Sequence, residues 1–243
     1  MIHAILFDLD GTLRFNRPSG LEAFIQFAAE LGLTLSADAR RNVERWMHAY
    51  WSGKHSGFIL TLPDPEAFWH TYTRGMLTAA GIEDASLAYT QAIVHAFGER
   101  YHAEPHVPDQ AHSVLRTLRE SGYTLGLVSN RTDDLGAITA DMGLNGYFHL
   151  TLSGGQVGAW KPDARIFVRA CEMANAAPSE CVYVGDNYYA DAQGAQAAGL
   201  VPILLDPRDV FPDAECVRIV HLGDLLSVIS QPVNPSTRNQ VIE

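Results

Sequence analysis

A chain of 243 residues with a formal net charge of −11 lacks the basic footprint that nucleic-acid binding needs, and its overall field repels anionic ligands unless positive charge is placed locally. Hydrophobic residues make up 47%, enough to bury a sizeable core in one larger or two smaller domains, which excludes a globally disordered chain. No apolar run reaches the length of a membrane span, no signal peptide is visible, and the three cysteines, Cys171, Cys181 and Cys216, form no paired motif, so the expectation is a soluble cytoplasmic protein with reduced, buried thiols.

Residues 2–7 are an almost unbroken apolar run that leads straight into Asp8-Leu9-Asp10-Gly11-Thr12. The run reads as a strand of a parallel sheet, buried on both faces, and Gly11 and Thr12 as the turn that ends it. Asp8 and Asp10 are two apart, so their side chains point the same way while the chain stays extended. Two carboxylates facing one spot need a proton, a donor or a cation between them; ordinary turn chemistry is the competing account. A calcium-binding loop starting at Asp8 fails, because Leu13 and Ser19 stand where its Gly and Glu belong.

A turn-rich connector then gives way to helical periodicity. Leu21, Phe24, Ile25, Ala28 and Leu31 form one apolar stripe, stopped by Gly32. Ser36 caps a second helix carrying Val43, Trp46, Met47 and Tyr50. Residues 51–57 are a Gly-punctuated loop containing Lys54 and His55. Asp64-Pro65 starts a third helix with Phe68, Trp69, Tyr72, Met76 and Leu77. Asp84 caps a fourth, with Leu87, Val94, Phe97 and Tyr101. The aromatic stripes read as the packing of a helical bundle.

After Pro105 and Pro108 helices alternate with strands. The strand over 123–128 runs into Ser129-Asn130, a short strand falls within 147–152, and residues 153–160 read as a loop before Lys161-Pro162-Asp163. The strand over 181–185 ends in Asp186-Asn187, residues 188–198 read as helix, strands follow over 201–205 and 217–220, and a last helix covers 224–229. This alternation predicts an α/β fold: a doubly wound, Rossmann-like parallel sheet. The expected core is residues 1–15 and 107–230, with an α-helical cap inserted as residues 16–106 and a polar tail over 231–243.

Three apolar runs thus end in polar residues: Asp8, Ser129 and Asp186. In an open parallel sheet ligands bind outside the carboxyl ends of the strands, so these residues meet in one crevice if the strands are neighbours. Singly each has a plainer account: Ser129 as a helix cap, Lys161 as a solvated lysine, Asp186 and Asp191 as turn and helix-surface acids.

Taken in order, the segments resemble the four motifs of the haloacid dehalogenase-like hydrolases. Asp8-Leu9-Asp10-Gly11-Thr12 is similar to the first, Val128-Ser129-Asn130 to the second, Lys161-Pro162-Asp163 to the third, and Gly185-Asp186-Asn187 with Asp191 to the fourth. The helical insertion after the first motif matches the phosphoglycolate phosphatase-like branch. The resemblance implies that Asp8 is a nucleophile forming an aspartyl-phosphate, Asp10 a general acid and base, and Lys161 a counter-charge. It implies that Ser129 and Asn130 bind phosphate, and that Asp8, the Asp10 main-chain carbonyl, Asp186 and nearby Asp191 hold or orient Mg²⁺. A phosphomonoester adds two negative charges to these carboxylates; Lys161 alone does not balance them, whereas a hard divalent cation does.

The chain departs from many relatives after the first motif, where it has Arg14-Phe15-Asn16-Arg17. Arg14 and Arg17 either bind an anionic leaving group or are solvated, and the same alternatives hold for Lys54 with His55. The dehalogenase branch attacks carbon without a metal and lacks the second Asp, so the presence of Asp10 speaks against it. A phosphomutase shares the motifs but carries an acid and then a His soon after the first; this chain has no His between residues 4 and 47. A catalytically silent binding module would have lost Asp8, Asp10 or Lys161. The expectation is therefore a Mg²⁺-dependent phosphatase acting on a small phosphorylated metabolite, with sugar phosphates, phosphoglycolate and nucleotide monophosphates all open as substrates.

Overall fold

The computed structural model describes residues 1–53, 65–82, 87–230 and 241–242. Lys54, His55 and the expected caps Asp64 and Asp84 lie outside the described residues. The chain divides into two compact units, Met1–Phe15 with His106–Glu243, and Asn16–Pro105.

The first unit is built on a parallel sheet. Its strands, in chain order, are β1 (Ala4–Phe7), β4 (Thr124–Ser129), β5 (Leu150–Ser153), β6 (Cys181–Gly185), β7 (Val201–Leu205), β8 (Val217–Ile219) and β9 (Val241–Ile242). They lie side by side in the order β5-β4-β1-β6-β7-β8-β9, every neighbouring pair parallel. β2 (Phe15–Arg17) and β3 (Glu104–His106), which flank the inserted segment in the chain, form a separate two-stranded ribbon.

β1 shows why this sequence makes a doubly wound sheet. All four of its residues are buried, and they alternate between two cores. Ile5 and Phe7 join Leu125, Leu127, Val182 and Val184 on one face, covered by α5 (Asp109–Glu120), α6 (Gly136–Asp141) and α10 (Asp224–Ser230). Ala4 and Leu6 join Val128 and Tyr183 on the other, under α8 (Ala164–Met173) and α9 (Gly194–Ala197). A strand covered on both sides has no polar face, which is why its sequence is a run rather than an alternation.

The second unit packs α1 (Gly20–Glu30), α2 (Ala37–Trp51), α3 (Pro65–Ala79) and α4 (Leu87–Arg100) around Phe24, Phe27, Tyr50, Tyr72, Met76 and Ile93. Ser36 caps α2 as its sequence predicts, accepting from the Ala39 amide. No helix among the described residues is long and apolar enough to cross a membrane.

Three local readings are corrected. Residues 153–160 are not simply a loop: α7 (Gly154–Val157) forms there. Its two glycines argue for a turn, but Ser153-Gly154-Gly155-Gln156 is a reciprocal capping box, Ser153 Oγ accepting from the Gln156 amide and the Gln156 side chain from the Ser153 amide. Residues 188–198 are not a uniform helix; a π-helical turn, Tyr188–Gln193, precedes α9. The Asn187 side chain opens that turn by accepting from the Tyr189 and Ala190 amides. The expected tail, finally, ends in β9, whose Val241 lies opposite Arg218; the edge of β8 offers unpaired backbone groups that a short extended segment satisfies.

Because Leu6 is fully buried on the central strand, Leu6→Ala is expected to destabilise the first unit by about 2–5 kcal/mol. Urea unfolding followed by tyrosine and tryptophan fluorescence checks this.

Candidate active site

The site follows from the register. Phe7 lies opposite Leu127 of β4 and Val184 of β6, so the three strands end at one sheet edge, with Asp8 just past β1, Ser129 the last residue of β4 and Asp186 just past β6. Hydrogen bonding continues one step past β1, where the Asp8 amide donates to Val184 O at 2.9 Å. The chain then turns sharply. Gly11 has φ +97°, and a Cβ there would lie 2.3 Å from Asp186 Oδ2, so the turn needs glycine both for its conformation and for its closeness to the fourth motif.

Lys161 reaches this edge from the loop before α8. Its ammonium donates to Asp8 Oδ1 at 2.5 Å and to Asp191 Oδ1 at 2.7 Å. All three side chains are almost wholly buried. The Tyr183 ring lies beneath the ammonium, 5.4 Å from it, and the Tyr183 hydroxyl donates to Val128 O at 3.0 Å, across β1. Asp191 is aimed by the π-helical turn, its Oδ2 accepting from the Asn187 amide at 2.9 Å. Thr12, also buried, places its hydroxyl 3.4 Å from Asp8 Oδ2 and 3.3 Å from Asp186 Oδ1.

The electrostatics are unbalanced. Burial raises the Asp8 carboxyl, Lys161 opposes that, and Asp191 adds to it, leaving Asp8 at about 7. Burial, followed by the Asp8 and Asp191 carboxylates, holds Asp186 well above the usual carboxylate range. Burial alone would lower Lys161, but Asp191 and Asp8 outweigh it and keep the ammonium charged. Three carboxylates therefore share one lysine. Ligand oxygens of Asp8, Asp186 and Asp191 lie within 4.8 Å of one another. An all-oxygen donor set of three carboxyl groups, with one ammonium among them, fits a hard divalent cation, whose charge would favour their ionised forms.

Asp10 does not join this cluster through its side chain. Its carboxylate turns to two arginines: Arg14 Nη1 donates to Oδ1 at 2.7 Å, while Arg131 donates through Nε to Oδ2 at 2.8 Å and through Nη2 to Oδ1 at 2.9 Å. The resemblance implies a phosphate-binding role for Asn130. Its side chain is engaged with the Lys161 main chain, Oδ1 accepting from the amide at 2.7 Å and Nδ2 donating to the carbonyl at 2.9 Å. Ser129 is buried at the end of β4. Arg17 is exposed in β2 of the ribbon, and Lys54 lies outside the described residues. The sequence reading missed Arg131 and Tyr183. Arg131 stands two residues after Ser129, but nothing in a linear pattern pairs it with an acid 121 positions away.

A doubly wound sheet with a lysine-bridged carboxylate cluster at the carboxyl edge of its central strand defines an α/β enzyme site. The model of the haloacid dehalogenase-like hydrolases matches residues 2–199, and the chain belongs to that family. It is similar to human haloacid dehalogenase-like hydrolase domain-containing protein 3, with 31% identity over 84% of each chain. It is also similar to the glyceraldehyde 3-phosphate phosphatase of Methanopyrus kandleri, with 28% identity over 95% of this chain and 100% of that one. Among solved structures, a predicted phosphoglycolate phosphatase from Haemophilus somnus shares the fold, with a TM-score of 0.56 and 19% identity over 95% of this chain and 98% of that one.

The raised Asp8 carboxyl carries a pH dependence. Between the ordinary Asp value of 3.8 and about 7 the folded chain keeps a proton there that the unfolded chain has lost. Its contribution to stability is therefore present below 3.8 and declines as pH rises through 7. Asn at this position does not titrate. In metal-free buffer the melting temperature of Asp8→Asn, relative to the unsubstituted chain, is expected to climb between pH 4 and pH 8; a constant difference would place Asp8 in the ordinary carboxylate range.

Proposed function

We propose that the protein is a Mg²⁺-dependent phosphatase that hydrolyses a small phosphomonoester through an aspartyl-phosphate on Asp8. The observation that carries this reading is the Lys161 ammonium bridging Asp8 and Asp191 beside Asp186, with a separate carboxylate, Asp10, two residues from the nucleophile. Asp8 supplies the attacking carboxylate. Lys161 favours its ionised form and offsets charge that builds on the phosphoryl oxygens. Ser129, by its hydroxyl, and Asn130, by its amide, orient those oxygens. Asp10 delivers a proton to the leaving oxygen and then takes one from the water that attacks the phosphoenzyme. Asp8, Asp186, Asp191 and the Asp10 carbonyl would hold the cation, which supplies charge neutralisation for the incoming phosphate. Relatives named as phosphatases support this chemistry.

The net charge of −11 supports a small metabolite rather than a nucleic acid as the substrate. The free, buried cysteines Cys171, Cys181 and Cys216 support a reducing compartment such as the cytoplasm. The helical unit, as a cap, is the part that selects among phosphomonoesters, with Arg17 and Lys54 its candidate contacts and Arg14 a candidate in the core unit.

Hydrolysis of p-nitrophenyl phosphate is expected to require Mg²⁺, to stop in EDTA, and to be lost in Asp8→Asn. Full activity in either condition overturns the mechanism. Asp10→Asn separates the two half-reactions. p-Nitrophenolate leaves without help, so Asp8 should still be phosphorylated from that ester, whereas water attack slows by about 10²–10⁴-fold and the phosphoenzyme accumulates. With an alkyl phosphate the first step fails as well. Intact-protein mass after rapid acid quench reads both outcomes, and normal alkyl phosphate turnover would remove Asp10 from its role.

A further inference from the structure

We infer that Arg131 is a positioning residue for Asp10: its guanidinium holds the Asp10 carboxylate in one orientation and leaves a single oxygen lone pair, on Oδ2, to exchange the proton. The inference rests on the acid–base role proposed for Asp10 and goes beyond it.

The need for such a device comes from where Asp10 sits. It lies past the end of β1, in the turn, and its side chain is 39% exposed. Sheet packing, which aims Asp8, does not reach it. An acid–base group has to stay within hydrogen-bond reach of two successive positions, the leaving oxygen and then the water. Arg14, four residues along the same turn, makes one bond to Oδ1, and a single bond leaves the carboxylate free to swivel about it. Arg131 adds two parallel bonds, Nε to Oδ2 and Nη2 to Oδ1, and this planar fork fixes the carboxylate plane. A carboxylate offers about four lone-pair sites. Oδ1 accepts two bonds and Oδ2 one, so among the described residues the open site is on Oδ2.

The fork is effective only if Arg131 is itself held, and two anchors do so. The Gly155 amide donates to Arg131 O at 3.1 Å. A Cβ on Gly155 would stand 1.8 Å from Thr132 O, so the glycine is what lets the 131–132 backbone seat on α7. Just before Arg131, the Asn130 side chain ties this loop to the Lys161 main chain in both directions. The capping box that forms α7 therefore has a consequence at the acid: it supports the loop that aims Arg131. The Asp10 carboxylate in turn stabilises the charged guanidinium and raises Arg131.

The test is Arg131→Gln, with Arg131→Lys as the variant that keeps the charge but not the fork. In both, rapid mixing with p-nitrophenyl phosphate should give a burst of p-nitrophenolate at a rate within about threefold of the unsubstituted chain, because that leaving group needs no proton. Steady-state turnover should fall by about 10–100-fold, as a misplacement of about 1 Å costs up to 10² in rate. Phosphoenzyme should accumulate on acid quench with this ester but not with an alkyl phosphate. Equal slowing of burst and steady state, a change confined to KM, unchanged turnover, or full recovery in Arg131→Lys would each overturn the positioning role. Absence of turnover by the unsubstituted chain with Mg²⁺ would overturn the phosphatase reading and this inference together, whereas the variant-specific results leave the phosphatase reading standing.

Discussion

The site depends on one ammonium group. Lys161 is buried where a lone cation is very costly, and it is stable there because Asp8 and Asp191 flank it at 2.5 and 2.7 Å. The dependence runs the other way too: without the lysine, three carboxylates would crowd one dry pocket. Removing one partner of such a buried pair typically costs about 3–5 kcal/mol, because it leaves an uncompensated charge. The lysine therefore organises the fold's edge and the chemistry at once. It brings the loop before α8 and the π-helical turn to the end of β1, and it leaves a negative excess suited to a divalent cation.

That arrangement is local to the carboxyl edge of three adjacent strands. β4, β1 and β6 are neighbours, and their register brings Asp8 to the same sheet edge as Ser129 and Asp186, which lie one residue further along their own strands. Tyr183 spans beneath β1 to Val128 and makes the floor under the lysine. Asp8 and Asp10, two residues apart, are given opposite surroundings. Asp8 is buried against a cation and other acids, whereas Asp10 is half exposed and gripped by two arginines. Two carboxylates separated by environment in this way suit the distinct roles proposed for them.

Much of this was legible in one dimension. The apolar runs that end in Asp8, Ser129 and Asp186 signal buried parallel strands, and the Ser36 cap and the helical stripes signal a bundle between the first two. Illegible parts share a cause. α7 was hidden because its glycines pointed to a turn while its capping box acted over only four residues. The π-helical turn was hidden because apolar periodicity does not distinguish it from an α-helix over so short a span. Asn130 sits within a recognisable motif, yet its side chain serves the Lys161 main chain, a partnership that no residue type announces.

By itself the sequence determined the order of strands and helices, the family, and the identity of the charged groups at the strand ends, because burial and turn chemistry are written into short-range pattern. Only the tertiary structure decided which charges meet. That Lys161 joins Asp8 to Asp191, and that Arg131 grips Asp10 from 121 positions away, follow from strand order and loop anchoring. Electrostatic partners are set by distance in space, and distance in space is fixed by the packed fold.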